Sequence, residues 1–128
     1  MRNLGGDTLE ARCVSTLIKG IAITYDMHSS LELFDVAIAG AENFEGITTS
    51  NAQLMNDGFY YIQFKLKTYL QSIMKVKLIK AVSYGDTLGY TAIGQFAEGS
   101  DGDVIYSSNW YALSDGEIGD YIKMLIVY

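Results

Sequence analysis

Apolar and polar positions alternate most clearly over residues 60–68. Tyr60, Ile62, Phe64, Leu66 and Thr68 fall on one face, and Tyr61, Gln63, Lys65 and Lys67 on the other. A period of two with one apolar face predicts a strand that covers a core on one side only. Asn56-Asp57-Gly58 just before it predicts a tight hairpin turn, because Asp-Gly supplies positive φ angles at little cost. The same period appears at Ile21, Ile23 and Tyr25, followed by a polar turn from Asp26 to Ser30 that includes His28. Leu31 and Leu33 then alternate with Glu32 and Phe34 and lead into Val36–Ala39, an apolar strand ended by Gly40.

Ile47-Thr48-Thr49 is β-branched and predicts a short strand, with Gly46 at a bulge or a close approach of another backbone. Residues 50–55 read as a loop or a short helical turn, and 69–74 as either a strand end or a helical turn. Val76–Val82 returns to strand character, with Lys75, Lys77 and Lys80 facing outward. Tyr84-Gly85-Asp86 marks a turn, Thr87–Phe96 a β-rich run, and Gly99–Asp103 the most loop-like stretch of the chain. Val104–Tyr106 and Trp110–Leu113 read as short strands, Ser114-Asp115-Gly116 as a turn, and Tyr121–Tyr128 as a terminal strand. Turn signals recur roughly every 8–15 residues and no long amphipathic helix is visible. The expected fold is therefore mostly β, a small β-barrel or β-sandwich.

Residues 1–12 are polar around Gly5-Gly6 and predict a flexible N-terminal arm, leaving 13–128 as a single β domain. The two halves of that domain echo one another. Leu17–Asp26 resembles Leu78–Asp86, Asn43–Thr48 resembles Asn109–Ser114, and each half later carries Asp-Gly before an aromatic-aliphatic strand. The spacings differ, so both a duplicated β unit with an internal two-fold repeat and common hairpin chemistry account for the likeness.

Composition narrows the function classes. The 128 residues are 49% hydrophobic and 19% charged, which suits a globular domain with a real core. No run of 18 apolar residues occurs and the first residues lack the apolar stretch of a signal peptide, so neither a membrane-spanning helix nor a secretory leader is expected. The net charge of −6 repels phosphate backbones and argues against a nucleic-acid partner. Ten tyrosines, thirteen glycines and no proline point to strands, interfaces and glycine-made turns.

Candidate chemistry is sparse. The single cysteine, Cys13, rules out an internal disulfide, and its commonest role is that of a small buried apolar residue. One histidine, His28, and one cysteine are too few for a structural zinc site. Glu98, Asp101 and Asp103 cluster in a Gly-rich loop and could hold calcium, but their spacing lacks the D-x-[DN]-x-[DN]-G pattern, and a solvated hairpin tip is the commoner arrangement. Tyr106, Trp110 and Tyr111 could stack on a sugar, although such residues serve more often in a core or a subunit contact. No phosphate-binding glycine motif and no nucleophile elbow is present. The expectation is a protein with no catalytic residues, no cofactor and no metal.

Two stretches carry a resemblance. Ala81-Val82-Ser83-Tyr84-Gly85-Asp86-Thr87-Leu88 is similar to the V-x-x-G-D-x-L stretch of bacteriophage capsid decoration and head-fibre proteins. Residues Trp110–Val127 resemble the segment G-x-A-L-x-D-x-x-x-G-D-x-V-x-V-x-V that follows it in those proteins. Phe44–Thr48, with Asp57-Gly58 and the strand to Phe64, looks like a first copy. Trp110-Tyr111 stands where a small glycine is usual, and the first copy lacks the second Gly-Asp, which leaves the subfamily open. The resemblance implies a virion protein, made in the host cytoplasm, that decorates or stabilises the outer surface of a phage capsid. It implies a homo-oligomer, a trimer above all, with the major capsid protein as partner, no nucleic acid, no membrane and no catalysis. Another virion adaptor or fibre, or a carbohydrate-binding β module, is the alternative.

Overall fold

The computed structural model describes residues 2–5, 8–26, 35–67 and 72–127. The expected polar turn around His28, the alternation at Leu31 and Leu33, and residues 68–71 and 128 lie outside them. Every regular element among the described residues is a strand, and the strands form two packed antiparallel sheets, a β-sandwich. The first seven strands make one sheet and the last five the other, so the chain completes the first sheet before it enters the second.

The first sheet contains β1 (Arg2–Gly5), β2 (Thr8–Cys13), β3 (Ala22–Asp26), β4 (Asp35–Ile38), β5 (Gly46–Thr48), β6 (Gln53–Leu54) and β7 (Tyr60–Leu66), in the order β1-β2-β7-β5-β3-β4 with β6 also on β7. The strand legible over residues 60–66 is thus its centre. Leu9, Ala11 and Cys13 of β2 stand opposite Phe64, Ile62 and Tyr60, which joins the apolar faces of both strands. The boundary drawn at residues 12 and 13 falls inside β2. The reason is that Leu9, Ala11 and Cys13 repeat the period of β7, and Ala11 is wholly buried against it. Arg2–Gly5 runs along the outer edge of the sheet with all four residues exposed. At the opposite edge the sheet bends back toward β2, where Arg12 Nε reaches Asp35 Oδ1 at 2.7 Å.

The second sheet contains β8 (Ser72–Lys77), β9 (Thr87–Thr91), β10 (Phe96–Glu98), β11 (Val104–Ala112) and β12 (Tyr121–Ile126), in the order β10-β9-β11-β12-β8. Val104–Tyr106 and Trp110–Leu113, expected as separate strands, fall on the single strand β11, which ends at Ala112. Its register on β9 shifts across Ser107–Tyr111, so polar Ser107-Ser108-Asn109 interrupts the apolar pattern without ending the strand. The strand expected to run to Val82 ends at Lys77, and Leu78 and Val82 contribute single bridges instead.

Two apolar clusters result. One lies within the first sheet and includes Ala11, Ile23, Val36, Ile62 and Phe64, closed by Leu17 and Ile21 from the connection before β3. Thr48 fastens that connection: its Oγ1 donates to Ile18 O at 2.6 Å and accepts from Ile21 N at 3.0 Å. The other cluster belongs mainly to the second sheet, and Ala22, Ala39, Phe44 and Ile47 of the first half enter it. Phe44 meets Trp110 at 5.0 Å and Tyr90 at 5.6 Å between ring centroids. Backbone bonds tie the junction as well: Lys77 N donates to Gly20 O at 2.8 Å, and Ala22 N to Gly94 O at 2.9 Å. Gly46 is a close approach, as its sequence setting suggests: a Cβ there would lie 2.2 Å from Lys65 O.

The echo between the halves is carried by like elements only in part: Gly46–Thr48 and Trp110–Ala112 both lie in strands, as do Tyr60–Phe64 and Tyr121–Leu125. Ala22–Asp26 is a strand, whereas Ala81–Asp86 holds a single bridge at Val82 and one turn at Tyr84-Gly85, and the strand orders of the two sheets differ.

Candidate interaction surface

The residues singled out for chemistry are placed as structural groups. Lys80 Nζ sits between Asp101, at 2.9 and 2.8 Å, and Asp103, at 3.1 Å, so an ammonium ion stands where a bound cation would need both carboxylates. Glu98 turns away to accept from Ser100 N and Ser100 Oγ. Lys80, with the Asp103 N–H, holds the Asp101 carboxyl below the usual carboxylate range. Among the described residues no three His, Cys, Asp or Glu side chains gather in a group able to hold a metal.

Trp110 is 2% exposed and packs among Phe44, Tyr90, Phe96 and Tyr106, so its ring is not presented to a sugar. Tyr106 and Tyr111 are partly exposed, on the outer part of β11. Cys13 is half-buried beside the Arg12–Asp35 pair. Burial, with a smaller contribution from the Asp35 carboxylate, pushes its thiol up to about 11, which suppresses the thiolate that a nucleophile needs. His28, its only conceivable imidazole partner, lies outside the described residues.

The most distinctive surface is a pair of matched turns at one end of the second sheet. In Ser83-Tyr84-Gly85-Asp86, Asp86 N donates to Ser83 O at 3.0 Å and Gly85 has φ +86°. In Glu117-Ile118-Gly119-Asp120, Asp120 N donates to Glu117 O at 3.0 Å and Gly119 has φ +86°. A positive φ at the third residue is the geometry of a type II turn, and glycine is the residue that adopts it without strain. The aspartate closes each turn from its side chain, since Ser83 N donates to Asp86 Oδ2 and Glu117 N to Asp120 Oδ2, both at 2.8 Å. Each turn is also clamped by one residue of neighbouring backbone. Gly85 N donates to Ala112 O and Ala112 N to Asp86 O; Gly119 N donates to Leu78 O and Leu78 N to Asp120 O. The apolar residue two positions after each aspartate, Leu88 or Ile122, is buried.

The two Gly-Asp steps on which the sequence resemblance rests are therefore the same local device used twice. The device sets the second residue of each turn at its tip. Those tips are Tyr84, 71% exposed, and Ile118, 73% exposed, more exposed than any other large apolar side chain described. A Val82–Gly116 bridge and a bond from Tyr84 N to Asp115 Oδ1 at 2.7 Å hold the turns side by side. The result is a rigid platform with two apolar tips among Asp86, Asp115, Glu117 and Asp120. The sequence marked both turns; that they are neighbours follows only from the bridge between segments 34 residues apart.

Comparison with known proteins gives a structural answer alone. No family model matches the chain, and no curated protein matches it in sequence. Among solved structures it is similar to the head fiber gp8.5 N base of bacteriophage phi29, with a TM-score of 0.62 at 14% sequence identity. The superposition covers 93% of this chain and 92% of that one. The β-fold read from the sequence, and its resemblance to head-fibre proteins, agree with this likeness.

Proposed function

We propose that this chain is a structural protein of a bacteriophage virion, seated on the outer surface of the capsid as a head-fibre base or decoration protein and bound to the major capsid protein. The observation that carries the reading is the end-to-end fold likeness to a head-fibre base, which leaves almost none of either chain unmatched. The Gly-Asp turn motifs support it independently, because they lie in the sequence itself and not in the fold. The acidic surface suits a protein that must stay soluble until it meets its shell. In a homo-oligomer, with the trimer favoured, each copy would add its own contact with the shell, and weak contacts would become a stable attachment through avidity.

The test is to mix the purified protein with empty shells assembled from the major capsid protein of the same genome, then sediment the shells and image them. Saturable co-sedimentation with density repeating on the capsid lattice is the expected result. Protein left in the supernatant at micromolar concentration, with bare shells in the images, would refute the reading. The carbohydrate-binding alternative loses its strongest candidate, because the Trp110 ring is enclosed in the core.

A further inference from the structure

Three of the nine basic side chains are in ion pairs among the described residues: Arg2 with Glu10, Arg12 with Asp35, and Lys80 with Asp101 and Asp103. The other six are lysines that form no ion pair with a carboxylate among the described residues. Lys65 of β7, Lys75 of β8 and Lys123 of β12 converge on one cleft of about 210 Å³ between the two sheets. Lys75 and Lys123 stand directly opposite each other in the β8–β12 ladder. Like charges in that position destabilise a sheet. Lysine on an edge strand alone would be ordinary protection against unwanted pairing. That explains Lys75 on the edge strand β8, but not the convergence of Lys65 and Lys123 from interior strands. The cleft has an apolar lining of Ile47, Ile73 and Met74, no acidic residue borders it among the described residues, and Ile73 is 55% exposed.

The matched turns carry the complementary chemistry. Their tips are apolar, they are surrounded by carboxylates, and turn tips ordinarily take polar residues. Neither Tyr84 nor Ile118 serves its own fold by standing in solvent. Ile118 does not line the cleft of its own chain, whose lining on β8 begins at Ile73 while the turn is bound to Leu78 at the strand's other end. We propose that the Tyr84/Ile118 platform of one copy docks in the lysine cleft of a second copy, with Ile118 on the apolar floor and Glu117 facing Lys75 and Lys123. Such a contact is head to tail, and it closes a ring where the rotation between copies divides a full turn. The net charge of −6 disfavours phosphate backbones as the occupant. The inference concerns contact between copies only, so shell binding measured separately can stand or fall without it.

The experiment is sedimentation velocity from micromolar to millimolar protein, at low and high salt, on the full chain and two variants. Ile118→Asp disables the tip. Lys75→Glu with Lys123→Glu disables the cleft and keeps a like-charge pair, so its fold is stressed no more than the parent's; circular dichroism verifies both variants. The expected result is salt-weakened self-association of the parent, lowered about tenfold or more in each variant, as for loss of a buried interface anchor. Mixing the two variants should restore a 1:1 complex, because one keeps the cleft and the other keeps the tip. A parent that stays monomeric throughout overturns the proposal, as do variants that associate like the parent or a mixture that yields no complex. A monomer whose shell binding depends on Lys75 and Lys123 also overturns it, and assigns the cleft to an acidic shell protein instead.

Discussion

Replacing Phe44 by alanine should open the junction between the two sheets. Phe44 is 5% exposed and is the one aromatic ring of the first half in the second cluster, packed at a tilt against Trp110 and Tyr90. Truncating a buried phenylalanine costs about 3–5 kcal/mol through lost transfer energy and the cavity left behind. The two ring contacts account for about 0.5–1.5 kcal/mol each beyond burial. The Lys67 ammonium, 5.7 Å from the ring centroid, adds about 0.5 kcal/mol at a partly exposed site. Phe44→Leu fills most of the space and loses mainly the ring terms, so about 1–2 kcal/mol is expected for it. Trp110 is the single tryptophan, so its emission reports on this junction. The assay is urea unfolding followed by that emission. Phe44→Ala should lower the midpoint strongly and shift the native emission to the red, with Phe44→Leu intermediate. A loss below about 1 kcal/mol for Phe44→Ala, or unchanged native emission, would refute the view that this ring couples the sheets.

Other outcomes follow from single sites. Gly46→Ala should cost more than about 3 kcal/mol in equilibrium unfolding, because the new Cβ would lie 2.2 Å from a backbone oxygen that is fixed in the ladder. Gly119→Ala meets no atom within 4 Å but must keep φ at +86°, so a smaller loss of about 1–2 kcal/mol is expected. The Asp101 and Asp57 carboxyls are held below their ordinary value of 3.8, chiefly by Lys80 and by the Tyr61 hydroxyl respectively. A depressed folded value means that each contributes stability above pH 3.8 and loses it as pH falls through the folded midpoint; NMR titration should place both midpoints below 3.8, with Lys80→Ala returning Asp101 toward it. With its thiol pushed up to about 11, Cys13 should react with a thiol reagent at pH 8 roughly a hundredfold more slowly than free cysteine, and faster as pH rises.

The strand at residues 60–66 and the strand beginning at Tyr121 were legible because period two is a local property of the chain. So were the turns, since glycine at positive φ and aspartate closing on a backbone N–H act within four residues. The strand Thr8–Cys13 was hidden by its polar half: Glu10 and Arg12 take one face, and only pairing with β7 shows Ala11 to be core. Lys80 read only as an outward lysine, because its partners Asp101 and Asp103 come from a loop more than twenty residues away.

By itself the sequence determined a mostly β chain with Gly-Asp turns and a likeness to head-fibre proteins. Each of these is encoded in neighbouring residues, through alternation and backbone stereochemistry. Which aromatic ring is core and which is surface was decided only by the packing of the two sheets, which enclosed Trp110 and left Tyr84 in solvent. The same packing brought three lysines from separate strands to one cleft and set two turns side by side as one platform. Contacts between residues distant in the chain have no local signature, so surfaces built from them become visible only once the fold has formed.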